Sequence, residues 1–68
     1  MTLASDFDLD ETMDHWAYAT EVMRLAILKS HGWRTAQGTP DRTARKAAKL
    51  DWYSLSPAMQ KVLRSHAW

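Results

Sequence analysis

Two hydroxyl–proline pairs, Thr39-Pro40 and Ser56-Pro57, and two glycines, Gly32 and Gly38, divide this chain more firmly than any other feature of it. A hydroxyl accepts the orphan N–H groups of a first helical turn, and a proline just after it loses nothing by lacking an N–H there. A glycine beyond a run of periodic apolar residues ends a helix, because the left-handed position past the last turn suits it. Read this way, the sequence predicts an all-α, three-helix domain with one long N-terminal helix and two short Pro-initiated helices. The long helix ends at residue 31, the second runs from 40 to about 50 and the third covers 57–66. Residues 32–38 form a connection with an extended piece at 33–36, and residues 51–55 form a turn.

The start of the first helix follows from Asp8 and Glu11, which stand at capping-box spacing, and from the carboxylates of Asp10, Glu11 and Asp14, which suit a positive helix end. Residues 1–8 before it read as an acidic flexible arm, and residues 9–68 as a single helical domain. Leu9, Met13, Trp16, Thr20, Met23 and Ile27 recur at steps of four and three, and Tyr18, Val22, Leu25 and Ala26 widen that seam. Only Asp14, Glu21 and Arg24 form a polar strip. A helix apolar over more than half its circumference is central to its domain or part of an interface, so a homodimer through this helix is one expectation. On the third helix Met59, Val62, Leu63 and Trp68 form the expected inner face.

Charge is segregated along the chain. Residues 1–21 hold six acids and no Lys or Arg, a net of −6, whereas residues 22–68 hold nine bases and two acids, a net of +7. The sharpest concentration is Arg42, Arg45, Lys46 and Lys49, whose offsets of 0, 3, 4 and 7 put them on one face of the second helix. Ala44, Ala47 and Ala48 mark the opposite, inward face. Neighbouring like charges at these spacings cost an isolated helix roughly 1–2 kcal/mol in sum, partly offset by Asp41 near its start and the lysines near its end. Such a stripe suits nucleic acid or an acidic protein surface, the chain's own arm included. On phosphates, four neutralised charges predict a log–log salt slope of about −3.6, or roughly a 150-fold loss of affinity between 50 and 200 mM salt.

The order of a helix, Gly32-Trp33-Arg34-Thr35-Ala36, a Thr-capped helix, a short turn and a Ser-capped helix resembles the first half of a winged helix-turn-helix domain, over about residues 18–66. That resemblance implies a third helix in the major groove with its first turns reading base edges. Here that helix offers Gln60, Lys61, Arg64 and Ser65, while the basic face lies on the helix before it. Docking on the backbone is therefore expected ahead of sequence reading.

The expected function is a small non-catalytic regulatory module that binds an anionic surface, nucleic acid being slightly preferred, through Arg42, Arg45, Lys46 and Lys49, with Arg34 and Lys61 at the margins. The alternative is a protein-binding accessory factor, inhibitor or small subunit of an assembly, with Trp16, Tyr18, Val22, Leu25, Trp33 and Trp52 in its interface. Trp33, Trp52 and Tyr53 flank the basic helix, and core burial is the expectation for them ahead of stacking on bases. Asp6, Asp8 and Asp10 share the spacing of a calcium loop, but Glu11 and Ala17 stand where its glycine and bidentate glutamate belong. His15, His31 and His66 share no ligand spacing; His31 reads as a helix-end residue and His66 as surface, and no metal or other cofactor is expected. No glycine-rich phosphate loop, cysteine nucleophile or serine elbow is present, so neither an enzyme nor a small-molecule substrate is expected. The absence of cysteine and of any apolar run near the roughly 18–20 residues of a membrane span makes the cytoplasm the expected location, without a membrane partner.

Overall fold

A computed structural model describes residues 11–68. The fold is all-α: residues 11–18 are helical (α1), followed by α2 (Glu21–Ser30), α3 (Arg42–Ala47), a 3-10 turn (Trp52–Ser54) and α4 (Pro57–Arg64). No described helix is long and apolar enough to cross a membrane. The arm at 1–8, the capping pair Asp8 and Glu11 as a unit, and the Asp6–Asp8–Asp10 spacing lie outside the described residues.

The expected long first helix is two helices. Thr20 is extended (φ −71°, ψ 164°) and caps α2, its hydroxyl accepting from the Met23 N–H at 3.1 Å. Threonine inside a helix competes for backbone bonds with its own side chain, and Glu21 directly after it suits a first turn. The break turns the inward face. Thr20 and Met23, members of the expected continuous seam, are exposed, and Leu28, which was not in it, is fully buried. Val22 and Ala26 are also exposed.

α2 ends as Gly32 predicts. With Gly32 at φ 111°, the Trp33 N–H donates to Leu28 O at 3.0 Å and the Gly32 N–H to Lys29 O at 3.1 Å, which is the Schellman pattern. The connection closes on itself through the Thr35 and Thr39 hydroxyls, 2.8 Å apart, and an isolated antiparallel bridge of Arg34 with Pro40. Thr39 is thereby engaged in the loop, and the cap of α3 is Asp41, whose Oδ1 accepts from the Ala44 N–H at 2.8 Å. The cap thus falls two residues later than Thr39-Pro40 predicts. At α4 the same signal is met as expected: Ser56 Oγ accepts from the Met59 N–H at 3.2 Å, and Pro57 opens the helix.

Trp16, Leu28, Ala44, Ala47, Trp52, Leu55, Met59 and Leu63 form the core, with Met13, Leu25, Ile27 and Trp33 packed against it. The small side chains of α3 let it lie close against α2. Arg24 joins three segments at once. Its Nε donates to Trp16 O at 3.0 Å, one guanidinium NH donates to Ala48 O at 2.9 Å, and the group lies 4.6 Å above the Trp16 ring. Trp16 Nε1 in turn donates to Leu50 O at 2.9 Å. Sequence reading placed Arg24 on a polar strip; it is half-buried, and its Nε joins the Ala19 N–H in donating to the Trp16 carbonyl at the end of α1.

Two stability measurements follow. Replacing Arg24 by Ala leaves the Ala48 carbonyl without its side-chain donor and bares the Trp16 ring, and is expected to cost about 2 kcal/mol, or roughly 10 °C in Tm for a domain of this size. Arg24→Lys is expected to lose most of the same stability, because one ammonium does not serve two carbonyls and a ring face together. Asp41→Ala is expected to cost about 1 kcal/mol as a lost cap, and Thr39→Ala less; urea denaturation of the variants separates the two, and the reverse order would return the cap to Thr39.

Candidate anion-docking surface

α3 presents one face to the core and the other to solvent, and its sequence assigns them without overlap. Ala44, Ala47 and Ala48 are buried, while Arg42, Arg45, Lys46 and Lys49 are exposed. Among the described residues none of the four cations makes an ion pair or a hydrogen bond through its side chain. Asp41, the carboxylate nearest in sequence, is turned to the helix start as its cap.

The four cations and Leu50 line one shallow depression. Arg42, Lys46 and Leu50 also belong to a second, where Thr43, Ala47, Leu55, Ser56 and Met59 complete the lining. This trough between α3 and the start of α4 has a volume of about 270 Å³ and an apolar floor, enough for one large side chain and below the usual range of a small-molecule pocket. Sequence reading missed the trough. Its one signal was Leu50, eight residues from Arg42 and four from Lys46, which extends one edge of the stripe with an apolar residue.

The marginal candidates stand apart from these depressions. Arg34 donates from its guanidinium to Lys29 O at 3.0 Å, so it is tied to the negative end of α2. Lys61 is exposed on α4 and lines neither depression.

The residues expected in a protein interface divide sharply. Trp16 (0%) and Trp52 (4%) are buried in the core, to which they bring two of its largest side chains. Leu25 and Trp33 are partly covered by the core, whereas Tyr18 (87%) and Val22 (75%) are exposed, with Met23 beside them. These three flank the α1–α2 break, which turned them outward. The histidines also depart from expectation, since His66 is half-buried and its Nδ1 lies 2.8 Å from His31 Nε2.

No known protein family matches the chain, and no curated protein or solved structure matches it.

Among the described residues the four cations make no side-chain hydrogen bond or ion pair, so reversing two of them probes the face with little cost to the fold. The double variant Arg45→Glu with Lys46→Glu is expected to keep the wild-type circular dichroism spectrum and a Tm within about 4 °C. Global unfolding of this variant would show that the stripe has an internal structural role.

Proposed function

We propose that the protein is a small non-catalytic docking module that binds an anionic macromolecule through the outer face of α3. The observation that carries this reading is the set of four exposed cations that, among the described residues, have no ion-pair or hydrogen-bond partner, on a helix anchored from behind. Regulation by occupying a site is the role such a module suits, because binding needs only this face.

Nucleic acid is the preferred partner. Four cations in two successive turns track a run of phosphates, and α4 offers few groups for base edges, so contact with the backbone is the supported mode. Fluorescence anisotropy with a labelled 20-mer, single-stranded and duplex, tests it. Affinity is expected to fall with a log–log salt slope of about −3.6 on the duplex, or about −2.8 on the single strand, if all four cations are engaged. Arg45→Glu with Lys46→Glu is expected to weaken binding at 50 mM salt at least tenfold and to flatten the duplex slope by about 1.8 or more. Binding that the charge reversal leaves unchanged would remove the stripe from the function.

A second reading, an accessory or inhibitor protein that binds another protein, has its own support in the exposed Tyr18, Val22 and Met23. Paired substitution Tyr18→Ser with Val22→Ser tests it, and a homodimer through this patch with it. Loss of a protein partner or of self-association on that change, with the charge reversal neutral, would favour this reading over the first.

A further inference from the structure

His15, His31 and His66 come from three different segments, and the chain after α4 links them in one line of ring contacts. Past Arg64 the backbone turns, with the Ser65 N–H donating to Val62 O and the His66 N–H to Leu63 O. Trp68 folds back so that its Nε1 donates to Leu63 O at 2.9 Å. One side of its indole stacks on His15 of α1, with centroids 5.3 Å apart and the planes 9° from parallel. His66 meets the same indole edge-on at 5.0 Å. Beyond Trp68 the chain of contacts continues from His66 to His31 at the end of α2, with the ring nitrogens 2.8 Å apart and the rings at 76°.

A hydrogen bond between two imidazoles needs one N–H and one free lone pair, so at least one ring must be neutral. Two imidazolium rings carry donors only, and at this separation they repel. We propose that the His31–His66 bond is a proton-sensitive latch that holds residues 65–68 against α1 and the end of α2, closed when either ring is neutral and open when both are charged.

The surroundings favour opening on double protonation. His31 faces His66 from α2, Trp68 faces it from its own segment, and His15 reaches the group from α1 through the indole. Among the described residues no carboxylate ion-pairs with any of the three histidines, Glu11 and Asp14 beside His15 included. The charged side chains in the adjoining turns are Lys29 and Arg34 near His31 and Lys61 and Arg64 near His66, all cations. Burial, and after it the charge of His31, hold the His66 pKa below its ordinary 6.5. The sign follows directly: the folded state resists a proton that the unfolded chain accepts, so this stabilisation is complete above 6.5 and is lost as pH falls below it. The latch is separate from the face of α3 and does not depend on the docking proposal.

The test is ¹⁹F NMR of the full chain carrying 5-fluorotryptophan between pH 8 and 5, with the Trp68 resonance assigned through Trp68→Phe and the His66 ring followed by ¹H–¹³C correlation. The Trp68 resonance is expected to move with a midpoint shared with a His66 titration below pH 6.5, while the signals of Trp16 and Trp52 stay fixed and report an intact core. In His31→Ala the His66 midpoint is expected to rise towards 6.5, and Trp68 is expected to show its low-pH position already at pH 8. A Trp68 signal that is flat over this range, or that moves identically in His31→Ala, would overturn the latch. His15→Ala serves as the control, since it removes the stacked ring and leaves the paired nitrogens in place; a His66 midpoint unchanged there supports the assignment to His31.

Discussion

The guanidinium of Arg24 sits where two helices end. α1 presents the Trp16 carbonyl and α3 the Ala48 carbonyl, each at the negative terminus of its helix, and one planar cation meets both while covering the Trp16 ring. Trp16 is itself fully buried and bonded through Nε1 to Leu50 O, so one of the two tryptophans of the core and the Arg24 junction meet in one residue. Because a chain of this length has little apolar surface to bury, a junction that orients three segments at one point matters more here than in a larger domain. The break between α1 and α2 belongs to the same arrangement. There the Trp16 carbonyl accepts from the Ala19 N–H at 3.2 Å and from Arg24 together.

The short basic helix depends on that junction. α3 has six residues, too few to persist alone, and it carries four cations that repel one another. It holds because Asp41 caps its start, Arg24 takes the carbonyl just past its end, and three alanines allow close contact with the core. A face stabilised from behind in this way leaves its outer side chains without a hydrogen bond or ion pair among the described residues. That independence supports reading them as a docking surface, and it sets them apart from Arg24, Arg34 and Arg64, whose guanidinium groups are occupied by carbonyls or, for Arg64, by the Trp52 ring.

What could be read in the sequence was what a local rule decides. Gly32 as the end of α2, Ser56-Pro57 as the start of α4, and the division of α3 into an alanine face and a basic face all follow from residues within one or two turns. Thr20 was hidden because the apolar spacing runs through it without interruption, and a pattern of spacing does not see a break that preserves the count. The Thr39-Pro40 signal was real but displaced, since Asp41 competes for the same role and the Thr35–Thr39 contact takes the hydroxyl away. The trough beside α3, the Arg24 junction and the histidine cluster rest on contacts between residues up to 53 positions apart with no repeating spacing, and only the folded chain brings them together.

The distribution of work among the cations has a chemical reason. The three bases engaged internally, Arg24, Arg34 and Arg64, are all arginines, as expected where a planar fork must meet carbonyls or lie on an indole. The outward face mixes both kinds: Arg42 and Arg45 offer forks matched to phosphate or carboxylate, and Lys46 and Lys49 offer mobile point charges. A surface selected for one fixed internal geometry would favour the fork throughout. The mixture instead suits a partner whose anionic groups are met partly by shape and partly by charge alone, which is the condition that a phosphate backbone presents to a short helix lying along it.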